Sequence, residues 1–277
     1  MDLKQCYLIW HAFSHSLRDV VNEQIVSPFV IQGHRGFSSD YPENTILAFR
    51  KAIEAGANRI ETDLWISSDG IPILLHDRSV DRTTDGTGNA DTLTLEQIQS
   101  LDAGSWKDEK FSGNHIPSLE DAVDLIVQKK GVELNLEIKI HGQPVRAQSI
   151  IAASVDIVKA KNAEASIVYS SFDLDALLQV RKLSADVRLI LLYWKNDLAD
   201  RGFGIAQAHK LYGLAAMRDY LTAEIVHEAV QAGIHIFVGS PDKQQTLTAY
   251  NWGVSGFANN NPSLLLTWLK GKDDTRQ

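Results

Sequence analysis

RIETDLWISSDGIPILLHD, residues 59–77, holds two apolar runs separated only by Ser67-Ser68-Asp69-Gly70. Both runs read as strands. A parallel crossover needs about a dozen residues, so these two form an antiparallel hairpin. Centring the turn between Ser68 and Asp69 places Glu61 opposite His76, to within one residue. Glu61 and Asp63 lie two apart on one strand, so their side chains share a face. Carboxylates are costly inside a strand unless they are paired or hold a cation. Two of them beside a returning histidine point to a reacting centre.

Outward from the hairpin, strand-like and helical runs alternate. FVIQG and NTILAFRKAIEAG precede it. LEDAVDLIVQKKG, ELNLEIKI, a helix near 147–160, SIVYSSF, LDALLQVRKL, VRLILLY, a helix near 201–209, LYGLAAM, TAEIVHEAVQAG, IHIFVG, a helix near 242–251 and GVSGFANN follow. Nine runs are strand-like, and setting aside the return strand of the hairpin leaves eight. Alternation of this kind predicts a parallel sheet, and eight units predict an α/β fold of the (β/α)8 TIM barrel type, with a hairpin after strand 2. No Gly/Pro/Ser-rich linker interrupts it, so residues 29–277 are expected to form one domain. Residues 1–28 read as an N-terminal extension, helical from the spacing of Leu8, Ile9, Phe13, Leu17, Val20 and Val21. Residues 78–117 are mostly irregular, with one short helical piece, LTLEQIQSL. A loop of that length is usually functional, and this short insertion is expected to border the site mouth.

At 277 residues, with 44% hydrophobic and 22% charged, the composition is that of an ordinary globular protein. A net charge of −8 argues against a nucleic-acid footprint and means that an anionic substrate must be drawn in by local charge. The single cysteine, Cys6, excludes an intrachain disulfide and fits a reducing compartment, so a cytoplasmic location is expected. No stretch reaches the roughly 20 apolar residues of a membrane span, and stable membrane insertion is not expected. Oligomeric state is left open.

Polar clusters recur where the predicted strands end. His34-Arg35-Gly36 follows FVIQ, Glu43-Asn44-Thr45 lies just beyond, His76-Asp77 ends the hairpin, and Glu137 and Lys139 lie in LNLEIK. In a parallel barrel the C-terminal ends of the strands carry the chemistry. Glu61, Asp63 and Glu137 would repel one another unless a hard cation sat among them, and oxygen-only ligation suits Mg²⁺ or Ca²⁺. The competing reading is an ion-pair network with Arg35 and Lys139. His34 and His76 are suited to act as a proton-shuttling pair. The other seven histidines lack such a setting and read as structural. Arg35 and Lys139 offer a fork and a point charge for phosphate oxygens, or neutralise the carboxylates, or do both. Asn44 or Thr45 reads as a helix N-cap, and Trp65, Phe172 and Trp194 as pocket border or core.

HRGFSSDYPENT, ETDLWISSDGIPILLHD, RTTDGTG, IPSLEDA and LNLEIK resemble, in order and spacing, the signature segments of the glycerophosphodiester phosphodiesterases. The likeness is strongest from about Val30 to Lys139 and continues more loosely to about Trp268. It implies metal-dependent hydrolysis of a small glycerophosphodiester to an alcohol and sn-glycerol 3-phosphate. Catalysis would fall to His34 and His76, with substrate contacts from Arg35 and Lys139. Metal ligation would fall to Glu61, Asp63 and Glu137, with Glu43 as a further ligand or support. The last third departs from the pattern. Ile236-Phe237-Val238-Gly239-Ser240 stands where a Trp-Thr-Val-Asn-like strand end is expected, and Asn259-Asn260-Asn261-Pro262 where Thr-Asp-x-Pro is usual, so the leaving alcohol stays open. Two alternatives stand beside this reading. One is a phospholipase D-like or cyclising activity on a lysolipid, whose sign would be a wide apolar mouth near the 78–117 loop. The other is a binding protein that keeps the fold.

Overall fold

The computed structural model describes residues 29–139, 144–195 and 197–270. The expected helix within 1–28, and His11, His15 and His141, lie outside them. Eight parallel strands close into a barrel in the order β1 (Val30–His34), β2 (Arg59–Ile66), β4 (Glu133–Ile138), β5 (Ile167–Ser171), β6 (Arg188–Leu192), β7 (Gly213–Met217), β8 (His235–Gly239) and β9 (Gly256–Asn259), with β9 pairing back to β1. The remaining strand, β3 (Pro72–Leu74), pairs antiparallel with the end of β2. This is the (β/α)8 barrel and hairpin that the run pattern predicts.

The hairpin register is one residue away from the centred estimate. Leu64, Trp65 and Ile66 pair with Leu74, Ile73 and Pro72, which extends to Glu61 opposite Asp77. The loop contains three residues rather than two. Ser67 N–H donates to the Ile71 carbonyl, and Gly70 closes the turn at φ 84°, a left-handed conformation that a side chain would strain. The backbone continues to pair beyond β3, with Leu75 N–H donating to the Asp63 carbonyl. His76 is thereby delivered next to the carboxylates.

Two apolar layers hold the barrel. Outward-facing Ile31, Ile60, Leu134, Leu136, Leu189, Leu214 and Ile236 join the buried faces of the surrounding helices in one large core. Val30, Val168, Ile190 and Phe237 form a separate cluster inside the barrel. At the N-terminal end of the barrel, fully buried Arg59 pairs through Nη2 with Glu133 Oε2 at 2.6 Å, and Arg188 pairs with Glu133 as well. The 78–117 segment builds its own small core from Trp65, Ile73, Val80, Ile98 and Ile116. Trp65 is therefore a packing residue.

The helix after β1, α1 (Ile46–Glu54), starts at Thr45, whose hydroxyl accepts from Ala48 N–H at 3.2 Å. Of the two capping candidates, Thr45 caps. Asn44 does something else, described below. Ahead of it, Gly36 allows close approach of the β1 loop to this helix: a Cβ there would lie 2.7 Å from the Ala48 backbone. The closing helix (Pro262–Leu269), with Asn261 as cap and Pro at its start, was not legible as a separate run.

Candidate active site

One cavity of about 370 Å³ opens at the C-terminal end of the barrel, and His34, Arg35, Glu61, His76, Glu137 and Lys139 all line it. β1 delivers His34, β2 delivers Glu61 and Asp63, the hairpin delivers His76, and β4 delivers Glu137 and Lys139 just past its end. Glu61, Asp63 and Glu137 are buried, with one oxygen of each lying within 4.8 Å of the others. Lys139 Nζ sits 3.0 Å from Asp63 Oδ1 and 2.7 Å from Glu137 Oε1. Arg35 closes the other side, its Nε 3.5 Å from Asp63 Oδ2 and its backbone N–H donating to Glu61 Oε2 at 2.9 Å. Among the described residues, Glu61 Oε1 is buried and meets neither a hydrogen-bond donor nor a cation.

The electrostatics divide the three carboxylates. Burial and the charges of Asp63 and Glu137 push the Glu61 carboxyl well above the usual carboxylate range. Burial raises Glu137 too, against the pull of Lys139. Burial would also raise Asp63, but Lys139 and Arg35 hold it below its ordinary value. Lys139 and Arg35 are themselves held more firmly protonated, since these carboxylates outweigh their burial. Two cations therefore do not saturate the cluster. An all-oxygen set of buried carboxylates with one unsatisfied oxygen fits a hard divalent cation of the Mg²⁺ or Ca²⁺ kind.

Supporting residues hold these groups in place. Asn44, at φ 56°, donates to Asp63 Oδ2 at 2.9 Å and accepts from Thr62 Oγ1 at 2.7 Å, which aims the aspartate. His34 Nδ1 lies 2.6 Å from Asn260 Oδ1, leaving Nε2 on the side of Glu61, 3.8 Å from its Oε2. Burial and the neighbouring Arg35 lower the His34 pKa. His76 Nδ1 lies 2.7 Å from Asp77 Oδ1, and Arg82 bridges Asp77 to both oxygens of Glu43. Glu43 also accepts from Arg35 Nη1 at 2.9 Å. Glu43 thus stands outside the three-carboxylate cluster and serves two arginines.

The profile of the glycerophosphoryl diester phosphodiesterase family matches residues 34–264. A glycerophosphodiester phosphodiesterase of Caldanaerobacter subterraneus subsp. tengcongensis is 33% identical over 244 residues, 87% of this chain and 98% of that one. The chain belongs to this family. Human glycerophosphodiester phosphodiesterase 1 is 50% identical over 92 residues, 32% of this chain and 28% of the human one. Among solved structures, a phosphodiesterase of Oleispira antarctica in complex with the product sn-glycerol-3-phosphate is 29% identical, with a TM-score of 0.80 over 88% of this chain and 97% of that one. As a member of the family, the protein is a phosphoric diester hydrolase.

Among the described residues no helix is long and apolar enough to cross a membrane. The 78–117 segment reaches the site through Arg82 but lines no part of the cavity, so the apolar mouth that would favour a lysolipid is not beside it. His115 binds the Leu101 carbonyl within that segment, and His235 packs on Tyr212 at the opposite end of the barrel from the cavity. The sequence reading missed Asn260, Arg82 and the orienting role of Asp77. Asp77 directly follows His76, which was an available signal. Arg82 opens the RTTDGTG segment and Asn260 lies in the departing Asn259–Pro262 stretch, but their contacts with Glu43 and His34, 39 and 226 residues away, leave no local pattern.

Proposed function

We propose that residues 29–277 form one catalytic domain that hydrolyses small glycerophosphodiesters to an alcohol and sn-glycerol 3-phosphate, by metal-dependent acid–base catalysis with two histidines. The observation that carries this reading is the convergence of Glu61, Asp63 and Glu137, with an unsatisfied Glu61 oxygen, where Glu61 and Glu137 line the same cavity as His34 and His76. The Oleispira antarctica relative, held with sn-glycerol-3-phosphate, supports the product assignment.

Glu61, Asp63 and Glu137 would hold the cation, which supplies Lewis acidity to the phosphate and its attacking hydroxyl. Arg35 and Lys139 face the cavity beside them and offset charge as phosphorus gains a fifth oxygen. One histidine accepts the proton of the glycerol 2-hydroxyl as its oxygen bonds to phosphorus. The other gives a proton to the leaving alkoxide as its bond to phosphorus breaks. Water then opens the cyclic phosphate at phosphorus, with the histidines in exchanged roles. One water is consumed in total, and the 2-hydroxyl is regenerated. Asn260 and Asp77 each hold the Nδ1 side of a histidine, which fixes the ring and leaves Nε2 for the proton traffic.

The test is turnover by His34→Ala and His76→Ala, with metal content measured alongside. Each loss should be large while the metal stays bound. Near-normal hydrolysis of every glycerophosphodiester tried, in both variants, would remove the proposal.

A further inference from the structure

The 78–117 segment lines no part of the cavity, yet its RTTDGTG turn sends one side chain to the groups that do. The turn is anchored. Thr83 and Thr84 are buried, and Thr84 Oγ1 donates to the Val80 carbonyl at 2.8 Å and accepts from Gly86 N–H at 3.0 Å. Val80 belongs to the segment's own small core. Arg82, just ahead of the two threonines, places three nitrogens on two carboxylates. Its Nη1 and Nη2 donate to the two oxygens of Glu43 at 3.1 and 2.8 Å, and its Nε donates to Asp77 Oδ2. The other Asp77 oxygen lies 2.7 Å from His76 Nδ1, and Glu43 Oε1 is shared with Arg35 Nη1. A chain of alternating charge therefore runs from Arg35 through Glu43, Arg82 and Asp77 to His76, and ties the β1 loop to the hairpin. The Arg82 side chain is 44% exposed, and ion pairs so open to water add little to stability. Three bonds fixed in one geometry at such a place fit a positioning task.

Resting on the two-histidine function proposed above, we infer that Arg82 is a positioning residue of the reaction. It fixes Asp77, and through it the ring of His76, and it steadies Glu43 behind Arg35. Neither Arg82 nor the two carboxylates line the cavity, so all three act through their neighbours. Burial works against it, but their cation partners, Arg82 foremost, hold both carboxyls below their ordinary range, so the chain stays charged at neutral pH. Without Arg82, Asp77 Oδ2 turns to water and the carboxylate is free to rotate away from the imidazole. A lysine would supply the charge but not the fork.

The experiment measures kcat, KM and the cation-induced rise in melting temperature, with glycerophosphocholine or the best-cleaved diester as substrate. Arg82→Ala should lower kcat by about 10–100-fold, with KM changed by less than about threefold. Its melting temperature should stay within about 4 °C of the wild type, with the cation response intact. Arg82→Lys should recover only part of the loss. Asp77→Asn added to Arg82→Ala should cost little more than either alone, since both break one chain. Arg78→Ala is the control: Arg78 comes from the same segment, is 41% exposed and pairs with Asp91 instead, so this variant should turn over like the wild type. Unchanged kcat in Arg82→Ala, a lost cation response, an equal loss in Arg78→Ala, or fully multiplicative losses in the double variant would overturn the inference and leave the two histidines in place. Near-normal turnover by His76→Ala, or none by the wild type, would instead overturn the function on which it rests.

Discussion

Glu61→Gln should make the cation-free protein more stable while removing its response to Mg²⁺ or Ca²⁺. The carboxyl is buried, and one of its oxygens lies within 4.8 Å of both an Asp63 and a Glu137 oxygen. At an effective dielectric near 20, a like charge at that distance costs roughly 3.5 kcal/mol. Lys139 and Arg35 offset part of this repulsion. The carboxyl can also escape by taking up a proton, which for an ordinary glutamate at pH 7 costs about 4 kcal/mol and caps the penalty. A net relief of about 2 kcal/mol is therefore expected, or roughly 4–8 °C in melting temperature for a domain of this size. The amide keeps an oxygen to accept from Arg35 N–H, so little is lost in exchange. Cation at a hundred times its Kd should stabilise the wild type by about 2.7 kcal/mol and the variant far less. The assay is a pair of thermal melts in chelator and in titrated Mg²⁺ or Ca²⁺, in which the order of the two proteins should cross. A variant that melts at or below the wild type in chelator refutes the charge argument.

His34→Ala and His76→Ala should each lower turnover by roughly 10²–10⁴-fold. The double variant should lose much less than the product of the two, because groups acting as a unit are not additive. A nitrophenyl ester needs no acid, so it should rescue only the histidine that protonates the leaving group. Asp77→Asn should lower kcat by tenfold or more with KM little changed, since Asp77 orients His76; equal losses in KM alone would point to a different role. Glu133→Gln leaves fully buried Arg59 without its partner and should cost about 3 kcal/mol, roughly 6–12 °C in melting temperature. Burial opposes it, but Arg59 and Arg188 hold the Glu133 carboxyl below its ordinary value. Its contribution is therefore present above the ordinary glutamate pKa and lost as pH falls through the lowered one, so the gap between variant and wild type should close in acid; a gap that persists there contradicts the ion-pair account.

The barrel was legible because strand spacing and turn length are local properties. Four residues between RIETDLWI and IPILL admit only a hairpin, whatever happens elsewhere. The charged half of the site was legible for a related reason, since Glu61, Asp63 and Glu137 are conspicuous inside apolar strands. The cavity's apolar wall, with Phe172, Ile190 and Trp194, was not. In VRLILLY both Leu189 and Ile190 are apolar, so alternation does not say which faces the barrel interior until the sheet closes. The Arg59–Glu133 pair and the Asn260–His34 contact join residues 74 and 226 apart, a separation that no short-range pattern reports. The one-residue shift in the hairpin came from Gly70, which permits a three-residue loop where two were assumed.

On the mechanism proposed above, a glycerophosphodiester breaks on its alcohol side and does so only with the cation bound. Phosphorus-31 NMR of glycerophosphocholine incubated with the purified protein tests it most directly. The diester signal should convert to that of glycerol 3-phosphate in Mg²⁺ or Ca²⁺, conversion should stop in excess chelator, and it should resume when the cation is returned. Full turnover by metal-free protein in chelator, or release of choline phosphate and free glycerol, would contradict it.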